Sequence, residues 1–423
     1  MAMSDVPPEP VRDATARTPA VLERVGRYNL IYILGKGGMA TVYMGQASGL
    51  AGFEKLVTVK VIHPHLAQER SFVNMFLDEA RLSALIQHPN VAAVQEVGEQ
   101  DGLLYMVGEF VEGQSLKTVI DKATQCSTRL SHPMAAYIAS CVCDGLHAAH
   151  ELADEDGRHL NLVHRDVSPP NMMISYQGFV KLIDFGVAQS RGRASHTDVG
   201  TIKGKMGYMA PEQLKGRSLD RRIDIFALGV TLYEVITGRH PFPGATGLER
   251  LNRIASGEYW PPRAVEPSVD PELERIIVKA MAHRREDRFA NAAEMADALR
   301  QYLDSTGIAM GIEQVIDAMK WLFPEEIASH RATVKEFREQ NVVLDLSGLE
   351  KVNTHIASAL RGPRRSKRVK RIYALASASL VLLVAGGGIA FCALSQPAAP
   401  NEPDKQVIDD VKVIESRPAV PKK

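Results

Sequence analysis

One stretch, from His164 to Gly186, constrains this chain more than any other. It reads H-R-D-V-S-P-P-N-M-M-I-S and then L-I-D-F-G, and places Asp166, Asn171 and Asp184 within twenty residues. Apolar residues at 172 to 174 and 180 to 183 predict two short strands with the polar groups fixed between them. Two carboxylates and a carboxamide so placed suit phosphoryl transfer, which needs an oriented hydroxyl and metal ions held across a nucleotide's phosphates. Asp166 would accept or orient the hydroxyl proton, while Asn171 and Asp184 would hold the metals. A polar loop with acidic residues at a turn would match this spacing only by accident.

The 423 residues, 45% hydrophobic and 24% charged, leave room for more than one domain. A formal net charge of zero gives no electrostatic reason to expect nucleic acid or another polyanion as partner. Cys126, Cys141, Cys143 and Cys392 show neither C-x-x-C spacing nor a disulfide framework, which fits a reducing compartment. Cys141 and Cys143 read as structural residues of a helix. Residues 1–24 carry scattered Pro, Ala and alternating charge, so a disordered leader is expected, without a cleavable signal peptide.

Order begins near Arg27. Y-N-L-I-Y-I-L running into G-K-G-G-M-A-T-V-Y-M predicts a strand, a glycine turn and a second strand. Gly35 and Gly37, lacking Cβ, would let the backbone approach phosphate oxygens closely. The strand L-V-T-V-K-V-I follows, and Lys60 in its apolar interior needs partners such as nucleotide phosphates and a carboxylate. Phe72, Met75, Phe76, Glu79, Leu82 and Ile86 then recur at helical spacing. L-L-Y-M-V-G-E-F-V-E-G predicts a buried strand ending in a turn. From Pro133 to His150 a buried helix is expected. Its His147 and His150 read as packed, hydrogen-bonded core histidines, since no third metal ligand follows at helical spacing.

With H-R-D, N and D-F-G in order behind the glycine turn and Lys60, the chain resembles the protein kinase superfamily. The wording of L-G-K-G-G-M-A-T-V-Y and V-H-R-D-V-S-P-P-N, with one C-terminal apolar span, is similar to bacterial eukaryotic-like serine/threonine kinases. The resemblance implies an α+β, two-lobed fold over residues 25–305, with a small β-rich N-lobe to about 111 and a larger helical C-lobe over 112–305. It implies Asp166 as catalytic base and a Lys60–Glu79 pair as the on/off contact, Glu79 being preferred to its neighbour Asp78. ATP would lie against Leu34, Gly35, Gly37, Val42, Thr58, Lys60 and Met173, with the backbone of Glu109 and Val111 bonding the adenine edge. Asn171 and Asp184 would hold Mg2+, or Mn2+ as the alternative metal.

Several residues depart from the family pattern. Ala40 stands for the third glycine, Thr58 for the alanine before the lysine, and Gly108 for a larger residue before the hinge. The absent side chain at Gly108 would leave a cavity that admits bulky N6-substituted ATP analogues. Ser168 stands where a lysine is usual, two residues after the catalytic aspartate, and Lys205 stands where a threonine is usual in the activation segment. In the family those side chains meet, so an exchange would keep an ammonium beside the transferred phosphoryl group. The segment Val187 to Glu212 carries Ser195, Thr197 and Thr201 as phosphorylation candidates, Thr201 first, with Arg165 to receive a phosphate. Asp224 would cap its helix and brace the catalytic loop, and Arg288 would pair with Glu212.

Residues 306–360 show helical patterning interrupted by Pro324, an extension that either packs on the kinase or regulates it. A basic juxtamembrane segment at 361–371 then precedes an uncharged run of 23 residues, 372–394. As a helix that run measures about 34 Å, enough to cross a bilayer. The basic block places the kinase in the cytoplasm and the short tail, 395–423, outside. Small residues four apart, Ala374 with Ala378 and Gly386 with Ala390, would support helix pairing and a homodimer. The expected activity is transfer of the ATP γ-phosphoryl group to serine and threonine hydroxyls of proteins, with autophosphorylation, at a cell membrane. A pseudokinase scaffold would be expected to lose Lys60, Asp166 or Asp184. A small-molecule phosphotransferase should lack the A-P-E segment.

Overall fold

The computed structural model describes residues 23–49, 54–185, 206–216, 219–244 and 246–341, with side chains to 333, all inside the compact unit Met1–Val342. The N-terminal part, to Glu109, is a sheet with helices. Strands β1 (Arg24–Val25), β2 (Tyr28–Lys36), β3 (Ala40–Ser48) and β4 (Glu54–Ile62) lead into helices α1 (Pro64–Ala67) and α2 (Arg70–Ala84), then β5 (Val94–Gln100) and β6 (Leu103–Glu109). They form one antiparallel sheet in the order β1-β2-β3-β4-β6-β5.

The period-2 alternation of β4 explains its place in the middle of that sheet. Val57, Val59 and Val61 face a core with Tyr28, Tyr43, Tyr105 and Val107. The opposite face packs under α2, where Phe76 and Ala80 meet Ile62, Leu66 and Met106. Phe76, Glu79, Ala80 and Ser83 are buried at spacings of three and four, so one stripe of α2 faces the sheet and carries Glu79 with it.

Past the connection at Phe110 to Glu112 the chain becomes helical. It continues through β7 (Gly113–Ser115), α3 (Leu116–Gln125), α4 (His132–His150), β8 (Met172–Ser175) and β9 (Val180–Leu182). Helices α5 (Pro211–Leu214), α6 (Arg222–Thr237), α7 (Gly247–Ser256), α8 (Pro262–Val265), α9 (Pro271–Ala280), α10 (Ala292–Thr306), α11 (Ile312–Leu322) and α12 (Pro324–Asn341) follow. Serine hydroxyls at 115 and 131 accept backbone N–H groups at the starts of α3 and α4. Glycines in the left-handed region end α6, α7 and α10. Helix α6 is buried around nearly its whole circumference, which explains why its sequence lacks a polar face.

One apolar cluster unites α3, α4, α6, α9 and α10, and it reaches into α11 through Val315, Met319, Leu322 and Phe323. The expected helices on both sides of Pro324 are therefore present to residue 341, and the first of them is part of the core. Burying four such side chains contributes about 1.5 to 3 kcal/mol each. A smaller cluster of Ile86, Val91, Ala149, Leu162 and Phe185 ties the end of α2 to the second lobe. Among the described residues no helix is long and apolar enough to cross a membrane. The expected span 372–394 lies outside them, as do the basic segment, the tail and residues 1–22 of the expected leader, whose last residue is instead ordered, Arg24 of β1 pairing with Asn29 of β2.

Candidate active site

The loop between α4 and β8 carries the densest chemistry, and the structure shows what holds it. The Asp224 carboxylate, 1% exposed, accepts the backbone N–H groups of His164 and Arg165, each at 2.8 Å. It also lies 2.8 Å from His150 Nε2. Arg165 adopts φ of 65°, a left-handed conformation costly for a side-chain-bearing residue, so this loop needs such an anchor. The expected bracing role of Asp224 is thus seen, and the capping role is not. Asp224 is the third residue of α6, and the first N–H of that helix goes instead to Asp220 at 2.9 Å. His150 is a hydrogen-bonded core histidine, as read, whereas His147 is partly exposed with Nδ1 4.0 Å from Glu151.

His164 transmits this order to the reacting groups. Its ring lies tilted by 45° against Phe185 with centroids 4.5 Å apart, Nδ1 accepts the Asp166 N–H at 3.3 Å, and Nε2 lies 3.2 Å from the Ile183 carbonyl. Burial lowers its pKa, so a neutral ring with Nε2–H donating to Ile183 fits both contacts. One imidazole therefore couples the backbone before Asp166 to the backbone before Asp184. Sequence reasoning passed over His164, although its place in H-R-D was the available signal.

The predicted site residues converge. Asn171 Nδ2 donates to the Asp166 carbonyl and to Asp166 Oδ2, both at 2.8 Å, which leaves Asn171 Oδ1 as the atom able to ligate a hard cation. Lys60 Nζ lies 2.9 Å from Glu79 Oε1 and 3.1 Å from Asp184 Oδ1. Burial opposes the Lys60 ammonium, but Asp184 and Glu79 outweigh it and hold its pKa above the ordinary lysine range. Burial keeps the Glu79 pKa raised, with Lys60 pulling it the other way and Asp184 and Asp166 adding repulsion. Glu79, not Asp78, is the partner. Asp184 stands at φ 55°, a second strained non-glycine residue beside the first.

Across the sheet, Val42 pairs with Lys60 and Gly35 with Val42, so the glycine turn folds over the lysine. The Gly37 N–H closes the turn on the Ala40 carbonyl at 2.9 Å. A Cβ at Gly35 would meet no protein atom within 4 Å, and one at Gly37 only the Ala40 carbonyl at 3.6 Å. Open backbone above an ammonium and a carboxylate fits a polyphosphate with its metal ion. Leu34 is exposed at the mouth, and Met173 of β8 is half-buried.

At the hinge, Glu109 uses its N–H on Ala93 O at 2.8 Å, and its carbonyl accepts the Thr58 hydroxyl at 3.4 Å. Lys181 of β9 holds the Glu109 carboxylate at 3.0 Å, an ion pair between hinge and second lobe with no distinctive sequence signal. Gly108 pairs with Thr58, and a Cβ at Gly108 would fall 2.9 Å from Thr58 Oγ1. The space expected behind the adenine is therefore narrowed by Thr58. The two departures at 58 and 108 are one packing arrangement, a larger residue on β4 facing a smaller one on β6.

Ser168 is buried, and its hydroxyl reaches the Asp166 carbonyl at 3.4 Å. Lys203, Lys205, Ser195, Thr197, Thr201 and Gly186 lie outside the described residues. Where the chain is again described, Glu212 binds the buried Arg288 guanidinium through two bonds of 2.7 and 2.9 Å.

Known proteins share this arrangement. The protein kinase domain profile matches residues 28–303. The chain belongs to the protein kinase family. It is 41% identical over 314 residues to Tyrosine-protein kinase MasK of Myxococcus xanthus, covering 74% of this chain and 49% of that protein. It is 35% identical over 290 residues to Serine/threonine-protein kinase Pkn1 of the same species, covering 67% and 39%. The crystal structure of the Mycobacterium tuberculosis PknI kinase domain superposes with a TM-score of 0.51 at 26% identity, covering 68% of this chain and 100% of that domain. The chain spans about half or less of the length of these two curated relatives. Its fold is the two-lobed protein kinase fold, with a curled N-terminal sheet and a helical second lobe.

Proposed function

We propose that this chain is a membrane-anchored serine/threonine protein kinase that transfers the ATP γ-phosphoryl group to protein hydroxyls and phosphorylates its own activation segment. The observation that carries the catalytic part is Lys60 bridging Glu79 and Asp184 while Asn171 is fixed on Asp166. That is an assembled set, not a scattered one. Lys60 would bind the nucleotide's phosphates, and Glu79 would keep its ammonium aimed at them. Asp166 would orient the attacking hydroxyl and take up its proton, and Asn171 would hold Asp166 in place. Asn171 Oδ1 and Asp184 would hold a divalent ion, which would supply charge neutralisation for the transferring group. Glu109 C=O and Val111 N–H would meet the adenine edge.

Serine/threonine specificity follows the names of Pkn1 and other bacterial relatives. The name of MasK supports tyrosine as the second reading. Phosphoamino-acid analysis of the full chain and a mixed protein substrate after incubation with radioactive Mg-ATP decides between them. Label on serine and threonine is expected, and label on tyrosine alone would overturn the assignment. The membrane anchor rests on the uncharged run 372–394, and removal of that run should release the protein from the membrane fraction.

A further inference from the structure

The residues that flank Val111 in the hinge do not stand alone, because the end of the described chain packs on them. Phe110 stacks on His330 of α12 at 5.7 Å with 28° between the rings. His330 Nε2 is 3.3 Å from Glu112 Oε1, and His330 is 5% exposed. The other Glu112 oxygen accepts Gln177 Nε2 at 3.2 Å, and the Glu112 carbonyl accepts the Tyr176 N–H at 2.8 Å. Phe110 and Glu112 are thus gripped from outside, one on each side of the residue whose N–H would meet adenine.

Two further contacts seat this segment. Lys122 of α3 bonds Glu326 at 2.9 Å and lies over the Phe323 ring at 5.7 Å. At the β8–β9 turn, Gly178 has φ of +83°, and a Cβ there would fall 2.5 Å from the Ile312 carbonyl. Glycine is required at this point both by the backbone conformation and by the approach of α11. The turn belongs to the hairpin whose two ends carry Asn171 and Asp184. One segment, past the end of the matched domain at 303, therefore rests on the hinge and on the metal-holding hairpin together.

We propose that Ile312 to Thr333 is a hinge clamp, an integral part of the catalytic unit, with His330 the positioning residue that fixes the adenine-binding backbone through Phe110 and Glu112. This rests on the reading of the chain as an ATP-dependent kinase. The physical reason is that a short connection between two lobes has few contacts of its own. Its N–H and C=O groups meet a planar base only if their orientation is fixed beforehand, and fixing it beforehand removes an ordering cost from binding. Stacking of His330 on Phe110 and the 3.3 Å approach of its Nε2 to Glu112 supply that order from α12.

The test compares wild type, His330→Ala and His330→Phe as full chains. Phosphate transfer is measured against ATP concentration, and hydrogen exchange of residues 109–113 is measured without nucleotide. The clamp predicts that His330→Ala raises KM for ATP about fivefold, a typical coupling between sites, with kcat within about twofold. It also predicts faster exchange at the hinge, and partial recovery of both by His330→Phe, which keeps the stack on Phe110 and loses the contact with Glu112. A purely structural role would lower kcat in proportion to the folded fraction, leave KM unchanged and speed exchange at the hinge no more than in the core helices, and that result overturns the clamp. If the wild type transfers no phosphate, the kinase reading falls. Hinge exchange in the nucleotide-free chain then decides the clamp by itself, faster exchange in His330→Ala supporting it and equal exchange refuting it.

Discussion

Removing the Asp224 carboxylate should damage stability and catalysis together. In Asp224→Ala the buried His164 N–H, the part-buried Arg165 N–H and His150 Nε2 lose a partner now at 2.8 Å. Each stranded group costs about 1 to 3 kcal/mol. Against this stands the recovered cost of burying a carboxylate, several kcal/mol. The loop cannot easily relax to find other partners, since Arg165 would still sit at φ 65°. The balance resembles the breaking of a buried ionic network, about 3 to 5 kcal/mol, a large share of the 5 to 15 kcal/mol typical of a folded domain. Asp224→Asn keeps one acceptor oxygen for Arg165 but turns an NH2 toward the His164 N–H, so roughly half the loss is expected. Urea denaturation gives the stability change from the midpoint and slope. Transfer assays below the transition should show a rate reduced by an order of magnitude or more, because Asp166 loses its fixed orientation. An alanine variant within about 1 kcal/mol of wild type, with an unchanged rate, would refute the bracing argument.

Two other outcomes follow from particular contacts, and a third from the sequence. Gly108→Met pushes a side chain against Thr58 Oγ1 and should cost about 1 to 3 kcal/mol. Thr58→Ala in the same chain should recover most of that, and additive effects in thermal denaturation of the double variant would contradict a packed pair. His240 is half-buried, and desolvation and the nearby Arg250 push its pKa down to about 4. The unfolded chain binds a proton near pH 6.5 and the folded one does not, so this histidine's contribution is complete above 6.5. It is lost as pH falls toward 4, by at most ~3 kcal/mol. His240→Gln should flatten that part of a stability profile, and an identical profile would remove His240 as a cause. Lys205→Ala should cost far more transfer activity than Lys203→Ala if an ammonium at Lys205 replaces the one missing at Ser168, whereas equal rates would refute the exchange.

The strands around the catalytic loop, the helix carrying Glu79 and the nearly all-apolar α6 were legible because periodicity and motif spacing report directly on burial. Lys60 was legible as a charge that could not stay unpartnered inside an apolar strand, and its pairs with Glu79 and Asp184 bear that out in geometry. What the sequence could not report is contact between distant segments. His330 is one more histidine on a polar helix until Phe110 is placed beside it. Thr58 and Gly108 read as two separate small departures, and only the β4–β6 register makes them neighbours. The capping role expected for Asp224 failed because helix α6 begins two residues before it, at Arg222. Its carboxylate is then free to turn back toward the loop.

Phosphate transfer from radioactive Mg-ATP to a generic protein substrate, by the full chain and by Asp166→Asn, tests the central claim most directly. Asparagine keeps the size of the side chain and an oxygen that can accept from Asn171 Nδ2, so folding should survive while the group that receives the hydroxyl proton is gone. The account predicts clear incorporation by the wild type and a fall of about 10²-fold or more in the variant. Equal incorporation by the two proteins, or none by the folded wild type, would contradict it.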